Sequence, residues 1–214
     1  MTAASQAALV FSDDFDEASP TALAGKAPDL GSGTWTGSSF QVAGGALATT
    51  SGTGGAYGTF TTALSADNTL TLQFSTLDFV FSNDWGGVSL YSGGGERIFV
   101  GDGGGVAANT FWGVFGPGST IVGGGNTGDT TAATTATLTY EYDSGAWTFS
   151  TSSGGALSGT APSGLALNQV RIERGGATNF TLDNLSVDIS PTIPEPSAAL
   201  LSFLGFGAVL RRRR

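Results

Sequence analysis

Hard oxygen donors gather near both ends of this chain. Asp13, Asp14 and Asp16 follow Leu9-Val10-Phe11, and Asp183 and Asn184 sit within Asn179–Asp188. Calcium takes six to eight oxygens from carboxylates, amides and carbonyls. Asp14, Asp16, Asp183 and Asn184 meet that need if the two terminal segments lie side by side. No EF-hand spacing is present, so aspartates that cap turns at strand ends are the competing reading.

A second chemistry is stacking on aromatic faces. Trp85 in Asn83-Asp84-Trp85-Gly86, Trp112 in Phe111-Trp112-Gly113, and Tyr91 stand close to glycines, and Trp35 is a further candidate. Such rings hold sugars while amides and carboxylates fix the hydroxyls. Burial in a core is the competing reading. A third chemistry needs paired carboxylates, and Glu141 and Asp143 share one face of a strand at i and i+2. Retaining glycosidases place a nucleophile and an acid about 5–5.5 Å apart. Ser144-Gly145-Ala146 follows instead of a further acid, so Asp143 reads better as a turn residue. Histidine and cysteine are absent, which removes the usual zinc ligands and every Ser-His or Cys-His pair. The Gly101–Gly105 and Gly123–Asp129 stretches do not continue as GK[ST], so phosphate binding is unsupported and they read as hairpin loops.

Period-two alternation must position these groups. Leu70, Leu72 and Phe74 alternate with Thr69, Thr71 and Gln73. Ala136, Leu138, Tyr140 and Tyr142 alternate with Thr137, Thr139 and Glu141, and Trp147 and Phe149 follow Asp143-Ser144-Gly145. Val170 and Ile172 alternate with Arg171 and Glu173. Each predicts a strand with one buried face, and 134–151 predicts a hairpin. Within the closing strand Phe180 and Leu182 share one phase, while Leu185 and Val187 share the other. A β-bulge at Asp183-Asn184 would bury both pairs and turn Asp183 towards the strand carrying Asp14.

The composition narrows the classes. Of 214 residues 35 are glycine and 12% are charged, so Thr, Ser and Gly must supply the polar surface. Before the tail, sixteen acids face Lys26, Arg97, Arg171 and Arg174. That excess repels phosphate backbones and excludes nucleic acid as a partner. The domain needs no disulfides at this length.

The body fits a family pattern. Its elements are the opening DDFD, GTWTGSSFQVAGGAL, WGGVSLYSGGGERIFVG, LTYEYDSGAWTFS, LNQVRIERGG and the closing LDNLSV. Together they resemble the concanavalin A-like or laminin-G-like jelly roll across residues 9–190. The resemblance implies an all-β class: two antiparallel sheets face to face, with the chain ends adjacent and often a structural calcium near them.

Pro194-Glu195-Pro196 opens the tail, the uncharged run Ser197–Leu210 follows, and Arg211, Arg212, Arg213 and Arg214 close it. As a helix the run would span about 21 Å, short of a hydrocarbon core of about 30 Å. Motif, apolar helix and basic stop resemble the PEP-CTERM sorting signal of Gram-negative bacteria. That resemblance implies an exosortase-like processing enzyme as partner, transient membrane anchoring through residues 191–214, and delivery to the cell surface or exopolysaccharide matrix. Residues 1–8 read as the remnant of an export signal, with Ser5-Gln6-Ala7 similar to its cleavage site. The leading expectation is therefore an exported, non-enzymatic surface or matrix protein with no certain cofactor. A calcium-assisted carbohydrate-binding module is the alternative, with extracellular polysaccharide as partner, and a glycoside hydrolase-like enzyme is the distant third.

Overall fold

The computed structural model describes residues 6–17, 20–50, 52–80, 84–93, 95–103, 112–116, 121–127, 133–176 and 178–192, with backbone alone at 96, 97 and 121–126. The expected C-terminal helix, its sorting motif and its arginines lie outside these residues. Among the described residues sixteen strands run in chain order. They are β1 (Ala8–Asp13), β2 (Thr21–Ala22), β3 (Ser32–Gly37), β4 (Phe40–Val42), β5 (Leu47–Thr49), β6 (Gly54–Thr59), β7 (Asn68–Val80) and β8 (Trp85–Ser92). There follow β9 (Gly95–Gly103), β10 (Gly113–Phe115), β11 (Ile121–Asn126), β12 (Thr134–Glu141), β13 (Ala146–Thr151), β14 (Ala156–Thr160), β15 (Gln169–Arg174) and β16 (Asn179–Pro191).

The strands form two antiparallel sheets, as the resemblance implied. Sheet A has nine strands, ordered β14-β13-β12-β7-β16-β5-β4-β2, with β1 also pairing β16. Sheet B has seven, ordered β11-β10-β9-β8-β15-β6-β3. The predicted alternation is what seals them together. Leu70, Leu72, Phe74, Ala136, Leu138, Tyr140, Trp147 and Phe149 point from sheet A into the core, each at most 1% exposed. Val88, Leu90, Ile98, Val100, Val170 and Ile172 answer from sheet B, all at 0%. The expected hairpin is β12–β13, with Tyr140 opposite Trp147. Its turn closes through Gly145, whose φ of 70° suits glycine. The two glycine stretches depart from expectation. Gly101–Gly103 belongs to β9 and Gly123–Asn126 to β11, so these parts are strand rather than hairpin loop. A glycine row packs where flanking strands and rings come close, and composition alone reads that as a loop.

The chain ends meet on sheet A. β1 pairs β16 with Ser12 opposite Ser186 and Asp13 opposite Leu185. The expected bulge lies at Asp183-Asn184: the β16–β7 register slips between Asp183 and Ser186, and Asn184 has a φ of 51°. Leu182 and Leu185 are both 1% exposed as a result. A second slip, between Thr181 and Leu182, leaves Leu77 without a partner on β16 and 54% exposed.

Candidate functional site

Two places collect chemistry, one at the chain-end junction and one on the outer face of sheet B. At the junction, Ser12, Asp13, Asp14, Asp29, Gln73, Asn184, Leu185 and Ser186 line a cavity of about 310 Å³. Asp29 arrives because Ser12 and Leu30 exchange backbone hydrogen bonds of 2.9 and 3.1 Å. The Asp14 amide then donates to Asp29 Oδ2 at 2.9 Å. Carboxylate oxygens of Asp13, Asp14 and Asp29 all lie within 4.8 Å of one another.

Asp13 is already committed to protein donors. Lys26 Nζ donates to its Oδ1 at 2.8 Å and its Oδ2 at 3.0 Å. Trp35 Nε1 donates to Oδ2 at 2.7 Å and the Phe15 amide to Oδ1 at 3.0 Å. Lys26 Nζ also donates to Ala27 O at 3.2 Å and pairs Glu17 Oε1 at 2.9 Å. Backbone bonds between the Gly25–Lys26 turn and Trp35 hold this lysine in place. Burial pulls the Lys26 ammonium down, and the hydrogen bonds to Asp13 and Glu17 more than offset it, so its pKa rises above 10.5. A tethered cation thus fills the place beside Asp13. Desolvation, and then the charges of Asp29 and Asp16, push the Asp14 carboxyl up.

The oxygens that fit a hard cation are therefore those of Asp14, Asp29 and Asn184, with the Ser12 and Ser186 hydroxyls beside them. Two of the four expected ligands, Asp14 and Asn184, meet on this cavity. Asp16 does not line it, and its amide instead donates to Asp14 Oδ1 at 3.2 Å. Asp183 does not line it either. The bulge spends its carboxylate on Asn184, whose amide and Nδ2 donate to it at 2.8 and 2.7 Å. Asp29 was missed because only the long-range bridge from Leu30 to Ser12 brings it there.

On the outer face of sheet B, Arg171 of β15 stands opposite Tyr57 on β6 and Ser89 on β8. The guanidinium lies 4.8 Å from the Tyr57 ring centroid and 5.7 Å from that of Tyr91. Its Nη1 donates to the Tyr91 hydroxyl at 2.8 Å. Its Nε is 3.4 Å from Glu173 Oε2, and Glu173 in turn accepts a short hydrogen bond from Ser89 Oγ. Partial burial pulls the guanidinium pKa down, and the Glu173 charge with the Tyr91 hydrogen bond more than restores it. Glu173 sits in a cross-strand row with Gly55, Gly87, Gly101 and Gly113. At Gly55 the missing side chain matters directly, because the Arg171 guanidinium occupies the space a Cβ would take. Tyr57 and Arg171 are half-buried, whereas Glu173 is 3% exposed.

The aromatic expectations divide here. Trp85 is half-buried and lies in the outward phase of β8 with Ser89 and Tyr91. Trp112 is corrected: it is 0% exposed and packs within 5.0–6.1 Å of the Phe74, Phe79 and Phe149 rings, so no ligand can stack on it. Tyr91 is corrected too: it is 3% exposed and works through its hydroxyl on Arg171. Trp35 is fully buried. Tyr57, the ring left half-open, was overlooked, although its place between Ala56 and Gly58 already marked it as outward in a glycine-rich strand. Glu141 and Asp143 hold the β12–β13 turn: Glu141 Oε2 accepts from Ser144 Oγ at 2.7 Å, and Asp143 Oδ2 accepts from the Asp67 amide at 2.8 Å.

No family model matches the chain, and no curated protein matches it. Solved structures do. One is a lectin from Bauhinia forficata in complex with GalNAc, at 12% identity and TM-score 0.51, covering 75% of this chain and 93% of that one. Another is the CBM2 module of the evolved Dit of Lactobacillus casei BL23 phage J-1, at 12% identity and TM-score 0.56, covering 90% and 99%. A third is β-agarase A from Zobellia galactanivorans, at 11% identity and TM-score 0.56, covering 89% and 95%. At such identities the likeness is one of fold: a jelly-roll sandwich. Among the described residues no helix is long and apolar enough to cross a membrane.

Proposed function

We propose that this chain is a non-catalytic carbohydrate-binding module of an exported protein, and that a sugar ring lies on the outer face of sheet B over Tyr57 and Arg171. The observation that carries the reading is the half-buried Tyr57 with the Arg171 guanidinium 4.8 Å from its ring centroid. A flat π face takes the C–H side of a pyranose, and guanidinium and amide donors take its hydroxyls. Gln169 and Thr59 extend the polar rim, joined by a 3.4 Å hydrogen bond. The fold supports the reading as well, since a lectin, a CBM2 module and an agarase share it.

The non-catalytic part rests on carboxylate supply. A glycosidase needs two carboxyl groups, about 5–5.5 Å or about 6.5–9.5 Å apart. Among the described side chains in the outward phase of sheet B, Glu173 is the carboxylate, and it is tied to Arg171 and Ser89. Glu141 and Asp143 are occupied by turn contacts on sheet A.

Two further elements complete the proposal. Asp14, Asp29 and Asn184 are the residues that would hold a calcium ion, tying β1 to β16 rather than touching the sugar. The Pro194–Pro196 motif and Arg211–Arg214 stop would send the protein through an exosortase-type route to the cell surface or matrix. Recovering the mature protein from an exosortase-bearing host without its C-terminal arginines is the expected outcome.

Immobilised polysaccharides provide the direct test of binding. Tyr57→Ala and Arg171→Ala each weaken retention at least about tenfold, the size of a lost stacking or charge-assisted contact near 1.4 kcal/mol. Thr139→Ala on the opposite sheet leaves it unchanged. Retention that survives both Tyr57→Ala and Arg171→Ala, or release of reducing ends from any bound glycan, overturns the proposal.

A further inference from the structure

The outer face of sheet B also carries information about which glycans it accepts. Polysaccharides fall into neutral chains and anionic ones bearing carboxylate or sulfate, and a lone exposed arginine would favour the second class. Arg171 is not alone. Glu173 Oε2 lies 3.4 Å from its Nε, and the Glu173 side chain is only 4% exposed against 23% for Arg171. The carboxylate therefore sits beneath the guanidinium, shielded from solvent, and neutralises it from the sheet side. Ser89, fully buried, fixes that carboxylate through its hydroxyl. The same guanidinium lies over two tyrosine rings, and its outward side presents N–H edges whose charge is balanced by Glu173. The chain as a whole is acidic, with seventeen acids against eight bases.

We infer that Glu173 is a specificity-determining residue, which cancels the charge of Arg171 so that this face takes neutral polysaccharides and rejects polyuronates and sulfated chains. The inference rests on the carbohydrate-binding reading of the same site. Glu173 does not touch the sugar here. It acts through Arg171, as a positioning and neutralising group beneath it. A neutral ligand gains no long-range attraction, so its affinity is insensitive to ionic strength, whereas charge-driven binding weakens as the Debye length shrinks.

The test compares laminarin, mixed-linkage β-glucan, galactomannan and agarose with polygalacturonate and alginate, at low and high sodium chloride, using the full chain. The wild type is expected to bind at least one neutral polymer about tenfold or more tighter than either polyuronate, with less than about a twofold change across the salt range. Glu173→Gln keeps an acceptor for Ser89 and releases the Arg171 charge. It is expected to gain about fivefold or more for polygalacturonate at low salt, a gain that disappears at high salt. A merely structural role for Glu173 would weaken both classes equally and add no salt dependence. Wild-type preference for a polyuronate, or neutral binding that collapses in salt, overturns the inference while leaving carbohydrate binding in place. This wild-type arm stands even where Glu173→Gln fails to fold. Binding to neither class overturns the reading of the site and the inference with it.

Discussion

Lys26 and Arg171 each meet a carboxylate, in opposite surroundings. Lys26 is closed in. Its side chain is 8% exposed, Asp13 beside it is 0%, and oxygens of Asp13, Glu17 and Ala27 surround its Nζ within 3.2 Å. Arg171 keeps one side open. It shares Glu173 with Ser89 on the same outer face and shows tyrosine and guanidinium edges to solvent. Charge and partner type are the same in both, so neither decides the role. What separates them is how many donors are spent inward. The Asp13 contacts of Lys26 tie the Gly25–Lys26 turn to the strand that starts the fold, and its Glu17 contact ties it to the segment just after that strand, which makes it structural. Arg171 spends one contact on Glu173 and one on Tyr91, and leaves N–H edges that a ligand can meet.

Substitutions should pull the two apart. The largest effect is expected at Lys26. Lys26→Met strands the buried Asp13 carboxylate, and breaking such a pair costs about 3–5 kcal/mol. Denaturant melts should show that loss, with glycan retention of the still-folded fraction unchanged. Arg171→Lys comes next. It keeps the charge and loses the planar stack on Tyr57, so binding should fall about tenfold for a stability change near 1 kcal/mol. Gly55→Ala sharpens the same point without touching a charge. Its methyl takes the space the guanidinium occupies, so the arginine must move and retention should fall with it. Normal retention by this variant would show that the placement of Arg171 is unimportant.

Proton linkage gives a subtler separation. The folded Lys26 pKa is raised above 10.5, so its contribution to stability is complete below that pH and is lost as pH rises through the folded value. The melting temperature should therefore drop at alkaline pH in the wild type, and less steeply in Lys26→Met. Arg171 adds nothing to that drop, because its pKa stays above the ordinary arginine value. The smallest expected change is that from calcium. An ion bound by the native state alone raises the melting temperature by mass action. Asp14→Asn should abolish that rise. An EDTA-treated protein that melts identically with and without calcium would remove the cation from Asp14, Asp29 and Asn184.

Much of the architecture could be read from residue order. Hydroxyl residues alternate with Leu, Phe and Tyr along β7 and β12, and that period both makes strands and says which face is buried. The outward face of sheet A follows from it: Thr139 pairs Thr148 at 2.6 Å and Gln73 Nε2 donates to Thr137 at 3.4 Å, a hydroxyl surface that satisfies itself. Even the bulge at Asp183-Asn184 was visible, because an apolar phase cannot change sides without an extra residue.

The candidate site was less legible. Alternation places Tyr57, Tyr91 and Arg171 outward, yet it does not say that Tyr91 is covered while Tyr57 stays half-open. Nor does it show that Trp112 points between Phe74 and Phe79. Exposure is set by neighbours from distant parts of the chain, and no local pattern carries that information.

By itself the order of residues determined an all-β chain with a glycine- and hydroxyl-rich surface and strands whose buried faces were known in advance, because a strand's side-chain period is a property of its own backbone. The tertiary structure alone decided that Lys26 would be locked against Asp13 and Glu17, that Asp29 would join Asp14, and that Arg171 would lie between two tyrosines above Glu173. Those meetings depend on strand register and sheet order. Pairing fixes them across separations of 15 residues for Asp14 and Asp29 and 80 for Arg171 and Tyr91.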